Sequence, residues 1–204
     1  TLSFQELVQF LKDMLFDLER GQGRFIGSFL PNLLAFITFN IGGLVFTYFF
    51  GIILVGLNAY LISRFLSFRF NKVISVMAGV IFIIFPGDTT KALLVHIYQL
   101  QLSMFFILMA FNFYLKNKKI LAYMFALFCL WTYESPILPF VFAPLLLDLK
   151  WKKGTVIEFL RHNAILFALI FGMFVFRKFT GEERVSELVM TDFVIKTLAA
   201  FVIG

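Results

Sequence analysis

Long apolar runs separated by short charged turns constrain this chain more than any other feature. The run from Ile41 to Ser63 contains no charged residue and is long enough to cross a bilayer as a helix. Such runs recur along 204 residues, of which 61% are hydrophobic and 15% charged, whereas soluble domains carry about 25% charged residues. The runs are solidly apolar rather than alternating, which argues against a membrane β-barrel. The sequence therefore predicts an all-α fold, a polytopic transmembrane helix bundle.

The first 40 residues are predicted to lie at the outer membrane surface. Apolar residues between Phe4 and Leu18 recur at helical spacing, opposite charged and amide side chains. This pattern is typical of an N-terminal amphipathic interfacial helix. After the sequence GQGR, residues 25–39 are predicted to form a second, apolar helix that contains Pro31 and is either re-entrant or interfacial.

Residues 41–204 are predicted to contain about six to seven spans. The candidates are Ile41–Ser63, Val73–Phe85, Leu93–Leu115, Ile120–Tyr133, Pro136–Leu149, Phe159–Phe176 and Val189–Gly204. The chain begins without Met and ends inside an apolar stretch. We therefore interpret residues 1–204 as a single membrane domain, a fragment of a longer membrane protein.

The two short runs on either side of Glu134 could form one long helix or a hairpin. Pro136 disfavours a continuous helix, so we predict a hairpin, which places KNKK (116–119) and KWKK (150–153) on one face. By the positive-inside rule this face is cytoplasmic. The basic residues of this face are Arg64, Arg69, Lys72, Lys116, Lys118, Lys119, Lys150, Lys152 and Lys153.

The net charge of +6 and the single cysteine exclude several other classes. The basic residues cluster between apolar runs, as membrane orientation requires. No basic patch is interleaved with aromatic residues, so membrane lipids are predicted partners and nucleic acid is not. Cys129 lies inside an apolar run, which predicts neither a disulfide framework nor a cysteine metal site. The sequence contains no Walker loop, GxSxG or HExxH motif.

Acidic residues gather on the outer face. Asp88 follows a Pro-Gly pair and precedes a helix. It is therefore an N-cap, a catalytic or metal-binding carboxylate at the membrane boundary, or both. Glu134 lies at the tip of the predicted hairpin, either as a solvated loop acid or as a functional group, because an unpaired acid near membrane level is costly. Asp17 and Glu19 fit the solvated face of the amphipathic helix.

Basic and polar residues on the same face could bind a phosphate or contact lipid headgroups. The basic residues are Arg20, Arg24, Lys91, Arg177 and Lys178. His96, Gln99 and Ser103 have the spacing of one helix face. They indicate either hydrogen bonds between helices or a water-filled substrate cavity. One histidine without a second ligand does not define a metal site.

The order of these features resembles that of the GT-C membrane glycosyltransferases, particularly the bacterial O-antigen glucosyltransferases and the aminoarabinose- and mannosyl-transferases. A surface helix with acids is followed by Gly23-Arg24-Phe25, which opens a hydrophobic helix. A long span ends in NAYLISR (58–64), a short span follows, and an outer loop carries Asp88. Tyr133-Glu134 lies at a later outer tip.

The resemblance implies transfer of a sugar from a polyprenyl-phosphate donor to a glycan or lipid acceptor on the outer face of a bacterial cytoplasmic (inner) membrane. It implies that Asp17 or Glu19 is the general base and that Asp88 supports the site or binds a divalent cation. A divalent cation is the one possible cofactor. Glu134 is a further candidate catalytic acid. The implied phosphate-binding residues are Arg20, Arg24, Lys91, His96 and Gln99.

The chemistry of such a donor favours the same location. Its tail stays in the bilayer and its phosphate at the interface, so the site needs acids and cations at the membrane boundary. Two other functions stay open. A transporter or lipid flippase would place polar residues deep in several spans, whereas Asn58, His96, Gln99 and Gln101 lie near helix ends or on one helix. A non-catalytic membrane scaffold would tolerate neutralisation of the outer acids.

Overall fold

The computed structural model describes residues 5, 6, 8, 9, 12, 25–85, 94–147 and 152–179, without the side chains of residues 25, 28 and 94–97. Within these ranges the chain is helical and contains no strand, as the all-α prediction requires. The helices are α1 (Phe25–Leu66), α2 (Lys72–Ile84), α3 (Leu94–Leu115), α4 (Lys119–Thr132), a 3₁₀ helix (Ser135–Phe142), α5 (Ala143–Leu147) and α6 (Lys153–Phe179).

Three helices of the described part are long and apolar enough to cross a membrane, over Phe29–Leu66, Tyr98–Leu115 and Lys153–Phe179. This is the composition that an integral membrane protein requires. Three shorter apolar helices accompany them: Lys72–Ile84, Lys119–Thr132 and Ser135–Leu147. The total of six to seven spans stays a prediction, and the candidate span Val189–Gly204 lies outside the described residues.

Helix α1 consists of two segments that meet at a kink. The backbone leaves helical geometry at Gly42 and at Gly43, whose φ of 66° and ψ of −159° suit glycine alone. Residues 25–41 then form a separate apolar helix, as the sequence predicts, and residues 44–66 form the long one. Pro31 lies inside the first segment.

In the amphipathic region before α1, Gln5, Glu6, Gln9 and Lys12 are exposed and Val8 is half-buried.

The long segment of α1 runs parallel to α3. Tyr98 Oη, near the start of α3, donates to the Thr47 carbonyl oxygen at 2.8 Å. Asn112 Nδ2, near its end, reaches the Leu61 carbonyl oxygen at 3.3 Å. The short helix α2 lies between α1 and α3 in the sequence. It packs on α1 through buried Ser75 and Gly79. A Cβ atom on Gly79 would lie 2.7 Å from the Ala59 carbonyl oxygen, so only glycine allows this approach.

The predicted hairpin is present, but its second arm is not one α-helix. Residues 135–142 are 3₁₀ and only residues 143–147 are α-helical. Prolines at 136, 139 and 144 remove three backbone N–H donors from this arm, which prevents a regular α-helical ladder. Between the arms, Tyr133 is extended, with φ of −160° and ψ of 123°.

Side-chain contacts show which helix ends lie together. Arg69, after α1, donates through Nε to the Leu146 carbonyl oxygen at the end of the hairpin. Lys119, at the start of α4, forms an ion pair with Glu158 near the start of α6. The turns that carry the lysines therefore lie at one end of the bundle, which we call the basic end. The other end, where α4 and α6 finish, is called the distal end.

The first segment of α1 lies across the distal end. A Cβ atom on Gly27 would overlap the Thr132 carbonyl oxygen at the end of α4. Further along, Thr38 Oγ1 lies 3.2 Å from Tyr98 Oη at the start of α3. The segment thus spans from α4 to α3 at the distal end of the bundle. Whether it is re-entrant or interfacial stays a prediction.

Candidate functional site

An ion pair between Glu134 and Arg177 marks the distal end. Arg177 Nη1 donates to Glu134 Oε1 at 3.3 Å, and the two residues are 43 positions apart in the chain. The arginine side chain is only 12% exposed, whereas that of Glu134 is 39% exposed. A guanidinium this buried needs a partner charge, because an unpaired ion in a low-dielectric region is costly. Glu134 provides it.

The break in the hairpin positions Glu134. The chain becomes extended at Tyr133 and re-enters a helix only at Ser135, so the carboxylate follows directly after the last turn of α4. Ser103 Oγ of α3 donates to the Tyr133 carbonyl oxygen at 2.6 Å. This hydrogen bond satisfies a carbonyl that the interrupted helix leaves open. It also fixes the backbone immediately before Glu134.

The apolar segment 25–41 approaches the same place. Its Gly27 lies against the Thr132 carbonyl oxygen, two residues before Glu134, and its Ile26 and Leu30 pack against the main core. The ion pair therefore lies next to the apolar helical segment 25–41 rather than in an open loop. Such a setting combines an apolar surface with a cation and a carboxylate at a helix-bundle end.

Gln99 is half-buried in α3, four residues before Ser103. Residues four apart share a helix face, so Gln99 lies on the face of α3 that meets Tyr133, one turn nearer the distal end. His96 occupies the first turn of the same helix, and its side chain is not described. Ser103 makes a hydrogen bond between helices, and a role for Gln99 in a site stays a prediction.

The other predicted site residues lie outside the described residues. These are the candidate catalytic acids Asp17, Glu19 and Asp88 and the candidate phosphate-binding residues Arg20, Arg24 and Lys91. Their placement stays a prediction. Glu134 is the one predicted catalytic residue that the structure describes. The sequence indicates its partner Arg177 only as one of several basic residues of the outer face.

A second polar cluster lies toward the basic end. Glu158 accepts a hydrogen bond from Tyr114 Oη at 2.8 Å and pairs with Lys119. One turn further along α6, His162 is fully buried. Its Nε2 lies 2.8 Å from the Phe140 carbonyl oxygen and its Nδ1 lies 3.0 Å from Tyr123 Oη. Sequence reasoning missed this cluster, although the i, i+4 spacing of Glu158 and His162 was a signal.

Because a carbonyl oxygen only accepts hydrogen bonds, Nε2 of the neutral His162 ring carries the proton, and Nδ1 accepts from Tyr123. Both nitrogens are therefore used, which leaves this histidine no free position for a metal ion. Within the described ranges, no three His, Cys, Asp or Glu residues come together as a metal site. The cluster joins the hairpin to α6.

Polar side chains also lie between α1 and α3. Asn58 Nδ2 donates to the backbone oxygen and the side-chain oxygen of Gln101, at 2.8 and 3.0 Å. Asn112 Nδ2 donates to the Leu108 carbonyl oxygen at 2.8 Å. The Oδ1 atoms of both asparagines are buried and have no hydrogen-bond partner in the described part of the chain.

Comparisons with protein-family models, with curated protein sequences and with solved structures gave no match to this chain.

Proposed function

We propose that the protein is a membrane glycosyltransferase that moves a sugar from a polyprenyl-phosphate donor to a glycan or lipid acceptor at the outer face of a bacterial cytoplasmic membrane. The observation that carries the proposal is the ion pair between Glu134 and nearly buried Arg177 at the distal end. The lysine-rich turns lie at the other end, so the positive-inside rule orients the distal end outward.

The ion pair has the two charges that such a reaction uses. An arginine guanidinium binds a phosphate through parallel N–H donors, so Arg177 is the proposed ligand of the donor phosphate. Glu134 holds the arginine in place and is, beside Asp17, Glu19 and Asp88, a candidate general base for the acceptor hydroxyl. The interfacial segment 25–41 offers an apolar surface for the polyprenyl chain.

Release of polyprenyl phosphate from a polyprenyl-phosphate-linked sugar tests the proposal. We expect Glu134→Gln to lower the rate of release by a factor of about 100 or more. This is the lower end of the range for loss of a general acid or base. Arg177→Lys keeps the charge but loses the planar donor pair, so it should lower the rate as well. Glu158→Gln is the matched control, since it neutralises a paired glutamate at the basic end and should retain activity.

Folding of each variant is checked by its thermal transition in detergent. If folded Glu134→Gln and Arg177→Lys release polyprenyl phosphate at the wild-type rate, the ion pair is structural and the proposed site is wrong. If the wild type releases none from any donor tested, the glycosyltransferase proposal itself is wrong.

A membrane transporter or lipid flippase is the second candidate, favoured by the unpartnered, buried Oδ1 atoms of Asn58 and Asn112. Such oxygens between two helices are groups that a translocated polar molecule could contact. This function predicts that Asn58→Leu abolishes movement of lipid-linked sugar between leaflets of proteoliposomes, while Glu134→Gln does not. The reverse result favours the transferase.

A further inference from the structure

The turn between α3 and α4 carries three lysines in four residues at the basic end. Its backbone is closed by Asn117, whose φ of 60° is left-handed. The Asn117 N–H donates to the Tyr114 carbonyl oxygen and the Lys118 N–H to the Phe113 carbonyl oxygen, both at 2.9 Å. This is the usual hydrogen-bond pattern at a helix C-terminus with a left-handed residue. The backbone holds the turn, and the exposed Lys116 and Lys118 are not needed for it.

The charge of this turn is not balanced by the acid nearby. Glu158 is the acid that the described chain places at the basic end, and its carboxylate is already bound by Lys119 and Tyr114. Lys116 and Lys118 form no ion pair with any described carboxylate. Among the described residues, Lys116 and Lys118 therefore have no carboxylate partner, and they present positive charge where α3 ends and α4 begins.

A concavity of about 380 Å³ opens at the same turn and is lined by residues 117–121. Its lining combines two lysines with two apolar side chains, Ile120, which is 87% exposed, and Leu121, which is half-buried. A lysine ammonium next to an exposed isoleucine at the end of apolar helices is suited to the boundary between lipid headgroups and acyl chains. We call this concavity the α3–α4 notch.

We propose that the α3–α4 notch binds an anionic phospholipid, with Lys118 at the headgroup phosphate and Ile120 beside the first methylenes of an acyl chain. Inorganic phosphate offers the same charge but has no apolar part to contact Ile120, so the exposed isoleucine favours a lipid. The site lies at the end of the bundle opposite the Glu134–Arg177 pair, and its occupation is independent of sugar transfer.

Titration of the detergent-solubilised chain with short-chain phosphatidylglycerol tests the proposal, because a ligand that binds the folded state raises its melting temperature. We expect phosphatidylglycerol to raise the melting temperature more than phosphatidylcholine of the same chain length. Lys118→Gln should weaken the apparent affinity for phosphatidylglycerol about fivefold, the effect of removing one basic residue near an anionic lipid surface.

Lys153→Gln is the matched control, because Lys153 is exposed at the same end but does not line the notch. It should leave the affinity for phosphatidylglycerol within about twofold of the wild type, since screening weakens distant surface charges. If Lys118→Gln and Lys153→Gln weaken the affinity equally, the lipid is attracted by diffuse surface charge and not by the notch, and the proposal is wrong. Equal shifts with phosphatidylglycerol and phosphatidylcholine, or with phosphatidylglycerol and inorganic phosphate, would also overturn it.

Discussion

His162 is a polar residue with no solvent exposure, in a helix apolar enough to cross a membrane. It is tolerated there because each ring nitrogen has a hydrogen-bond partner. The carbonyl oxygen of Phe140 accepts from Nε2 of His162 and also from the backbone N–H of Ala143. The histidine thus adds a second donor to this carbonyl and links α6 to the 3₁₀ arm of the hairpin.

Replacing His162 by leucine should destabilise the protein by about 1–2 kcal/mol, because two hydrogen bonds worth about 1 kcal/mol each are lost. The Phe140 carbonyl oxygen keeps the Ala143 N–H as a donor. Equilibrium unfolding in mixed micelles measures this change. Asn163→Ala is the control on the same helix. It removes a local 2.9 Å hydrogen bond to the Phe159 carbonyl oxygen of α6 and a 3.5 Å contact with the Val141 carbonyl oxygen, which is too long to contribute much to the link with the hairpin. A leucine variant as stable as Asn163→Ala would show that the His162 hydrogen bonds add nothing.

Helix α1 depends on a single backbone conformation for its bend. Gly43 has φ of 66° and ψ of −159°, a region open to glycine and costly for any side chain even though no atom lies within 4 Å of a Cβ built there. The strain is therefore in the backbone and not in packing. The bend separates the segment over the distal end from the segment that runs beside α3.

We expect Gly43→Ala to cost about 1–3 kcal/mol of unfolding free energy. Gly56→Ala lies in the helical part of α1, also with open space for a Cβ, and should be neutral or stabilising by up to about 1 kcal/mol, because alanine loses less backbone entropy. Thermal unfolding of the two variants in the same detergent compares them. If Gly43→Ala is as stable as Gly56→Ala, the bend is not set by the glycine conformation.

The described molecule has two chemically different ends. Lysine-rich turns lie together at the basic end, and the Glu134–Arg177 pair lies at the distal end below an apolar helix. Helices α4 and α6 run in the same direction between these ends, because the hairpin arm returns the chain to its starting side. The two proposed binding sites therefore face opposite membrane surfaces.

Single cysteines test this arrangement in intact cells. The native Cys129 is fully buried, so it should not react with a membrane-impermeant maleimide. Lys178→Cys, exposed in the last turn of α6, should be labelled from outside, and Lys118→Cys only after permeabilisation. Labelling of both from the same side would contradict the arrangement of the helices, and labelling of Lys118→Cys alone from outside would reverse the orientation.

Much of the fold could be predicted because it depends on properties of neighbouring residues. The apolar runs indicate where α1, α3 and α6 lie, and Pro136 marks the break of the hairpin. The grouping of the lysines at one end follows from these two features. The 3₁₀ geometry of residues 135–142 was not predicted, because it depends on the combined loss of several N–H donors.

The tertiary structure alone decided which distant residues meet. Glu134 and Arg177 pair because α4 and α6 run parallel, and nothing within either segment encodes that contact. The same holds for His162 and the Phe140 carbonyl, and for the parallel packing of α1 with α3. Hydropathy and proline positions act along the chain, whereas these contacts depend on how whole helices pack against one another, as small residues such as Gly79 allow for α2 on α1.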